Sequence, residues 1–559
     1  MPPNDSAKPP RSSFVSATLR DVRVWHVAIV VAVTAVVYCR SLFYDFVYDD
    51  FTIILENPWI RSFGHLGEVF TSSVSGFTDK SLIPNYYRPL IYVYYALAYQ
   101  VSGTSPFGYH LLNVIAHALV SLSVYALVRA LPGTSGEEED RTLSVPFIAA
   151  LLFAVHPIHS EAVDFIGACT ELLFALFFLL SLVTYVRAAK VLSPAYALSL
   201  VCFLASALLK EPGITLPLVV VLYDLAFRRE EPWKPAALVR WLPYAAVAGI
   251  YFALRYQALG GLVPYKRHGD LGLYHHLLNA LALFAQYLEK LVVPTGQTIF
   301  HPFVPVTTIL DPFCLMGAAL TVAFAAAMYW GYRHQQQVYL GLVLIAVPLL
   351  PALYVSGVGE SAFADRYLYL PSVGFVLLVA LGARRLAATH LQARRVVAAA
   401  LLVIVAVCSY ATVQRNEVWR TDLTLWTDAA EKAPDHQRPF KALGDYYLRV
   451  RDLDQAIALY RLALTKGPSE VNLLDALGIA YAYKGDNAAA ERSFREASAI
   501  VPNDPRQYHN LGLVYARQRR YDEAIAAFTT ALQLKPDYER AASSLRTVRQ
   551  EKLRAGGGK

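Results

Sequence analysis

Charged residues are scarce in this chain of 559 residues. Only 17% of the residues are charged, 56% are hydrophobic, and the mean hydropathy is +0.37. Soluble domains carry about 25% charge, so this composition excludes a disordered chain, a fibrous repeat and a single soluble domain. Long apolar runs fill residues 24–415, whereas residues 416–559 have the composition of a charged helical module. The sequence therefore predicts a polytopic membrane domain followed by a soluble domain.

Cysteine is also scarce, and its five copies all stand in or beside apolar runs. No CxxC pair occurs, and the soluble module has no cysteine, which argues against a disulfide framework or a zinc site. A dense basic patch is missing too, despite the net charge of +7. Basic residues stand in short clusters between apolar runs, as membrane topology alone produces. The sequence therefore indicates no nucleic-acid partner.

The first apolar run, 24–43, is not followed by a small-x-small cleavage site, so it predicts an uncleaved membrane helix after a cytoplasmic tail, 1–23. Two apolar segments interrupted by polar residues, 88–103 and 275–293, are expected to lie along the bilayer interface. Arginine and lysine cluster in alternate loops, which are expected to be cytoplasmic. With about eleven helices, the soluble module then lies outside the cytoplasm. Ten further runs are long enough to span a bilayer: 107–129, 144–158, 165–186, 192–209, 213–227, 237–256, 311–331, 337–354, 368–385 and 395–413.

Most of the unusual polar residues fall in the loops predicted to be outside. Ionisable groups at one end of several membrane helices imply a shared polar cavity, because such groups are costly in lipid. This pattern indicates an enzyme or a transporter. A transporter more often carries ionisable residues near the bilayer midplane and inverted repeats, and neither is found here. The outer loops are 44–106, 156–165, 208–217, 257–310 and 357–372.

The soluble module repeats with a step of 34 residues. Small residues, aromatic residues and a closing proline recur at the same register, which is typical of tetratricopeptide helix pairs. The sequence predicts an α-solenoid over 416–545, with three repeats and a preceding half repeat, and a tail over 546–559. Such a solenoid binds an acceptor protein or an assembly partner. The repeated positions include Gly444, Gly478 and Gly512, then Tyr460, Phe494 and Phe528, and finally Pro468, Pro502 and Pro536.

Five short motifs stand in the outer loops. In chain order they are Asp49-Asp50, Tyr87-Arg88-Pro89-Leu90, His156-Pro157-Ile158-His159-Ser160-Glu161-Ala162-Val163, Lys210-Glu211 and Asp365-Arg366-Tyr367-Leu368-Tyr369-Leu370-Pro371-Ser372. Followed by the repeats, they resemble the transmembrane and tetratricopeptide repeat-containing (TMTC) O-mannosyltransferase family from about residue 24 to 545. That family belongs to the GT-C glycosyltransferases. The resemblance implies an all-α polytopic bundle, a polyprenyl-phosphate-linked sugar donor, and chemistry on the outer or luminal face.

Sugar transfer to a hydroxyl needs a base for the acceptor proton and groups that stabilise the leaving phosphate. The resemblance implies that Asp49 is the base and that Asp50 orients it or binds the acceptor; the alternative is a pair of solvated loop carboxylates. The guanidinium of Arg366 suits a phosphate at the membrane surface; the alternative is an arginine that only extends from a helix end to the interface. Arg88 has the same two interpretations. The fourth outer loop adds a basic pair that either meets phosphate or is solvated: Lys266 and Arg267.

His156 and His159 share a face if that segment is helical. With Glu161 they could ligate a divalent metal, hydrogen-bond within the cavity or to the sugar, or form a structural turn; no cofactor is otherwise indicated. The remaining residues assigned to the cavity or to substrate binding are Lys210, Glu211, Asp365 and Tyr367.

The favoured function is transfer of one sugar, mannose or another hexose, from a polyprenyl-phosphate donor to hydroxyl groups of extracytoplasmic proteins. Two alternatives remain: an envelope oligosaccharide ligase or polymerase with a diphosphate-linked donor, and a non-enzymatic scaffold that recruits partners through its repeats. The short cytoplasmic loops fit a bacterial inner membrane with periplasmic repeats, or an endoplasmic reticulum membrane in a eukaryote.

Overall fold

A computed structural model describes residues 22–78, 85–134, 143–188, 190–191, 193–229, 234–262, 272–354 and 362–556. The chain divides into two compact units, Met1–Thr421 and Asp422–Lys559, close to the boundary expected after residue 415. Within the described residues both units are helical and contain no β-strand. The all-α prediction is therefore confirmed for the part of the chain that the structure describes.

The first unit is a bundle of apolar helices. Its longer helices, numbered α1 to α13, are Val22–Val37, Pro89–Ser102, Pro106–Ala130, Val145–Val155, Cys169–Arg187, Pro194–Leu209, Leu216–Tyr223, Pro235–Leu259, Leu273–Val292, Pro312–His334, Gln336–Leu349, Pro371–Ala387 and Leu391–Asn416. Shorter helical turns connect them at Arg40–Phe43, Phe51–Leu55, Pro58–Arg61, Phe63–His65, Leu66–Thr71, Pro157–His159, Ser160–Asp164, Ile166–Ala168, Glu211–Thr215, Asp224–Arg228, Leu350–Leu353, Asp365–Leu368 and Glu417–Trp419.

Each of the eleven predicted spans coincides with a helix, but not every helix is long enough to cross a bilayer alone. By length and composition, six helices in the described residues qualify, and a seventh does if α4 and the bent continuation Pro157–Asp164 form one span. The 51° bend lies at His156, directly before Pro157. Proline causes it because proline cannot continue a straight helix. Two further apolar helices, α1 and α6, have 16 residues each. The structure thus establishes several membrane-length helices among the described residues.

The apolar outer surface of the bundle is suited to lipid. In α13 the side chains of Val396, Leu402, Val403 and Val407 are all exposed, a continuous apolar surface that water would disfavour. The interior is packed tightly enough for backbones to touch: a Cβ on Gly374 would lie 2.1 Å from the carbonyl oxygen of Gly341 on α11. Small residues allow such close approach of membrane helices.

The second unit consists of paired helices in series. They are α14 to α21: Asp422–Lys432, Gln437–Arg449, Leu453–Leu464, Val471–Lys484, Asn487–Ile500, Pro505–Arg517, Tyr521–Leu534 and Glu539–Gly556. Each repeat glycine lies on the first helix of a pair and faces the ring of the aromatic residue on the second. A Cβ on Gly478 would lie 2.7 Å from Cε1 of Phe494, and Gly444 and Gly512 meet their rings in the same way. The 34-residue register thus reflects a backbone-to-ring contact that only glycine permits.

Gly478→Val should destabilise the repeat unit by about 1–3 kcal/mol, because the added side chain overlaps the Phe494 ring in a packed core. We expect the double change Gly478→Val/Phe494→Leu to recover part of this loss. Ala488→Val, at an exposed position of α18, is the matched control. Limited proteolysis of the full chain during a temperature ramp measures the effect; equal melting of the Gly478 and Ala488 variants would contradict the contact.

Candidate active site

The described parts of four loops predicted to be outside are joined in pairs at one end of the bundle. Loops one and three are joined by Arg88 and Glu211, and loops two and five by Glu161 and Arg366. At the other end, the Arg384 guanidinium donates to the Thr134 carbonyl at 3.0 Å, which joins two loops predicted to be inside. Where the structure describes them, the polar residues singled out from the sequence are therefore concentrated at a single end of the membrane unit.

A cavity of about 210 Å³ opens at this end. Its lining combines cations, carboxylates and tyrosines with prolines and one phenylalanine. The charged and aromatic members are Tyr86, Arg88, Glu171, Phe174, Lys210, Glu211, Arg255, Tyr354 and Tyr367. The structure thus brings together Arg88, Lys210, Glu211 and Tyr367, which the sequence assigned to separate loops.

Glu211 is shared by two arginines. The Arg88 Nε donates to both Glu211 oxygens, at 3.2 and 3.0 Å, and its Nη2 donates to Oε2 at 2.6 Å. Arg255 approaches the same carboxylate at 3.7 Å. Burial raises the pKa of Glu211, but Arg88 and then Arg255 outweigh burial and hold that pKa below its ordinary value. Glu211 is therefore ionised and neutralises only one of the two guanidinium groups.

Lys210 forms an ion pair with Glu171 from α5, and both side chains are almost fully buried. The Lys210 ammonium also lies 4.9 Å from the centre of the Tyr367 ring, close enough for a cation–π contact. Burial first, and then the charges of Arg88 and Arg366, lower the pKa of Lys210 below its ordinary value, although Glu171 opposes them. Burial is thus the main cause of the lowered pKa of Lys210, and the neighbouring guanidinium groups add to it.

Arg366 lies in the helical turn Asp365–Leu368 that leads into α12. Its guanidinium pairs with Glu161, and its backbone N–H donates to the same carboxylate at 3.1 Å. The side chain stays 26% exposed and lies 5.2 Å from the Tyr367 ring centre. Arg366 is thus anchored beside the cavity while part of its surface remains accessible.

The adjacent carboxylates Asp49 and Asp50 lie in different environments. Asp50 is fully buried, and its oxygens accept hydrogen bonds from the backbone N–H groups of Gly167, at 2.8 Å, and Val47, at 3.1 Å. Asp49 is exposed. Among the described residues, neither lines the cavity of Arg88 and Lys210. Asp50 nevertheless ties the first outer loop to the start of α5, whose first turn carries Glu171.

The two histidines of the second loop turn to different partners. His156 accepts from the Ile158 N–H at its Nδ1 and bonds the Leu291 carbonyl through Nε2, both at 3.3 Å. His159 contacts the Ser372 hydroxyl at 2.9 Å, and Glu161 turns to Arg366. Within the described ranges no three His, Cys, Asp or Glu side chains converge as metal ligands. The structure therefore favours hydrogen bonding over metal ligation for this motif.

Three residues of this end were missed in the sequence. Glu171 begins the apolar run of α5 and Arg255 lies near the end of α8; an ionisable residue at the edge of a membrane segment is the signal that could have identified both. His301, in the fourth outer loop, pairs with Asp365 at 3.1 Å. No motif in the sequence around His301 could have identified it. The predicted phosphate ligands Lys266 and Arg267 lie outside the described residues.

The fold and this cavity define a helical membrane protein with a buried ionic site at one end and a tetratricopeptide array as a second unit. The array is matched independently: residues 505–538 fit the family model described as tetratricopeptide repeat. A solved tetratricopeptide domain, of Sgt2 from Aspergillus fumigatus, is 21% identical, covers 22% of this chain and 82% of its own, and has a TM-score of 0.21. A score this low supports no structural inference.

Curated relatives are similar to most of this chain. The mouse protein O-mannosyl-transferase TMTC3 is 25% identical over 600 residues, which cover 94% of this chain and 62% of the relative. The human protein O-mannosyl-transferase TMTC1 is 25% identical, and the match covers 81% of this chain and 56% of the relative. The chain thus spans somewhat less than two thirds of these relatives. The resemblance to the TMTC O-mannosyltransferases is confirmed.

Lys210→Met should destabilise the membrane unit by about 3–5 kcal/mol, because it leaves the Glu171 carboxylate buried without its cation. The double variant Lys210→Met/Glu171→Gln should recover most of this loss. Thermal unfolding of the purified chain in detergent measures both. If the double variant melts no higher than the single one, the pair is not the source of the destabilisation.

Proposed function

We propose that this chain is a membrane glycosyltransferase that moves one hexose, mannose, from a polyprenyl-phosphate donor to hydroxyl groups of extracytoplasmic proteins. The curated relatives are named protein O-mannosyl-transferases, which supports the reaction and the sugar. The observation that carries the proposal is the group of four cations at one end of an apolar bundle: Arg88, Lys210, Arg255 and Arg366. Phosphate at the end of a lipid chain is the ligand that suits such a position.

The charge of the site favours a donor with a single phosphate. Three carboxylates accompany the four cations: Glu161, Glu171 and Glu211. One positive charge is left over, which matches the single negative charge of a sugar phosphodiester. A diphosphate-linked donor would bring two negative charges. As the sugar leaves, its phosphate gains a second negative charge, and the nearby cations stabilise that developing charge without having to reorganise.

Asp49 supplies the base in this reaction. The acceptor oxygen forms a bond to the anomeric carbon while the bond from that carbon to the phosphate oxygen breaks; the acceptor proton passes to Asp49, and polyprenyl phosphate leaves. Exposure of Asp49 suits a group that must reach a protein acceptor. Asp50, held by two backbone N–H donors, fixes the loop that carries the base.

The membrane unit is a GT-C-type bundle of about eleven spans, with its N-terminal tail in the cytoplasm and the repeats outside. The positive-inside rule supports this topology, because arginine and lysine cluster in the loops predicted to be cytoplasmic. The compartment is the bacterial inner membrane, with the repeats in the periplasm. There the repeats hold the protein acceptor or an assembly partner.

Asp49→Asn should lower transfer by about 10²–10⁴-fold, the usual loss of a general base, while donor affinity stays unchanged. Arg366→Lys keeps a charge but loses the planar fork, so it should weaken donor binding. Asp45→Asn, at another exposed carboxylate of the same loop, is the matched control. The assay follows hexose from radiolabelled polyprenyl-phosphate mannose into extracytoplasmic protein prepared from cells that lack the gene.

Transfer by the Asp49 variant at more than about a tenth of the wild-type rate would exclude Asp49 as the base, since that loss is far smaller than a general base produces. If the wild-type chain moves no hexose, the proposed function itself is wrong. In cells, mass spectrometry of extracytoplasmic proteins should find a hexose lost from serine and threonine when the gene is deleted.

A chain that ends at Thr421 should bind donor as the full chain does but should use protein acceptors less efficiently. The cut belongs after Trp419 and Arg420 because the Trp419 ring stacks on Phe165 at 5.7 Å and the Arg420 carbonyl accepts from the Asp45 N–H at 3.1 Å. Donor affinity and the rate of protein mannosylation are measured on both chains. Equal rates would remove the acceptor-recruiting role of the repeats.

A further inference from the structure

A second cavity, of about 500 Å³, lies at the same end of the bundle between α9, the start of α10 and the segment 301–306. Its lining combines polar, aromatic and aliphatic residues. The polar members are Asn279, Gln286, Glu289, Lys290, His301 and Asp311, and the aromatic ones are Phe303, Phe313 and Phe363. Two carboxylates face one ammonium group here, so this cavity lacks the surplus positive charge that phosphate needs.

His301 is held in one orientation by Asp365. The imidazole Nε2–H donates to Asp365 Oδ2 at 3.1 Å, and the same oxygen accepts the Thr298 N–H at 3.1 Å. With the proton on Nε2, the Nδ1 atom carries a lone pair that can accept a hydrogen bond. The ring packs edge-on against Phe363 at 4.8 Å and stays partly exposed. His301 is therefore a fixed hydrogen-bond acceptor in the wall of the cavity.

The Asp365–Leu368 turn is shared by the two cavities. Asp365 is 2% exposed and faces His301, whereas Tyr367, two residues on, lines the cavity of Arg88 and Lys210. Arg366 stands between them. Among the described residues, Asp365 Oδ1 is buried without a hydrogen-bond partner, so the carboxylate keeps capacity for a further donor. The same short turn therefore carries one residue toward His301 and another into the cavity of Arg88 and Lys210.

We propose that this second cavity binds the polypeptide acceptor and that His301, positioned by Asp365, accepts a hydrogen bond from a backbone N–H of that polypeptide, which leaves the proton of the reacting hydroxyl to Asp49. The inference rests on the proposed transfer to protein hydroxyl groups and assigns the acceptor side of that reaction. Side-chain amides and carboxylates can bond a peptide backbone, and the phenylalanine rings can cover its side chains. The carboxylates of this cavity repel phosphate, so the donor phosphate binds in the other cavity, beside Arg366.

His301→Ala should raise the apparent KM for acceptor protein about tenfold, the loss expected of one hydrogen bond, and leave the KM for polyprenyl-phosphate mannose unchanged. Asp365→Asn should act in the same direction because the imidazole loses its orientation. His301→Gln retains a donor and an acceptor and should restore most of the affinity. His334→Ala, at the exposed far end of α10, is the matched control. An unchanged acceptor KM in the His301→Ala variant, or equal changes in both KM values, would overturn the proposal.

A crosslinking experiment tests the acceptor site independently of the proposed transfer reaction. A photoreactive phenylalanine at Phe303 in the full chain should form adducts with the extracytoplasmic polypeptides that lose hexose when the gene is deleted. The same probe at Tyr332, near the other end of α10, should not. Lipid adducts at Phe303, or none, would exclude an acceptor site even if the wild-type chain transfers mannose. Absence of transfer by the wild-type chain would instead refute the enzyme assignment.

Discussion

The membrane unit depends on the burial of ionised groups at one end of an apolar bundle. Glu171 and Lys210 are taken out of water together, and Glu211 is held between Arg88 and Arg255. A buried charge is tolerated only with a partner, so each of these groups constrains the helix that carries its partner. Because the partners come from different helices, pairing fixes the loops against one another. The cavity that results is electrostatically positive by one charge, and that surplus is what a lipid phosphate can use.

The sequence predicted those features that depend on local pattern. The 34-residue register was visible because Gly478 must face Phe494 in every repeat, and the helices were visible because lipid requires long apolar runs. Pairings between distant helices were not visible: Glu171 meets Lys210 only through the packing of α5 against α6. The metal alternative for His156 and His159 assumed a helix, but Pro157 begins a tight turn after His156 and directs the two rings to different partners.

The neighbouring acids of the first loop illustrate how one segment can serve structure and chemistry at once. Both oxygens of Asp50 accept hydrogen bonds from backbone N–H groups, one of them just before α5. The carboxylate of Asp50 therefore positions the loop. Asp49 follows the neighbouring residue Tyr48, whose φ of 53° lies in the left-handed region. That conformation is costly for a bulky residue, and the bonds of Asp50 offset the cost. The same turn leaves the side chain of Asp49 toward solvent.

The Asp365–Leu368 turn connects this positioning to the choice of substrate. Consecutive residues of one short helical turn point in different directions, so Asp365 serves the histidine of one cavity while Tyr367 packs under the lysine of the other. Arg366 between them is fixed by Glu161 at both its guanidinium and its backbone. A change in Arg366 or Glu161 would therefore move the walls of both cavities. Two cavities of opposite charge balance, joined by one short turn, allow a phosphate and a polypeptide acceptor to be recognised separately.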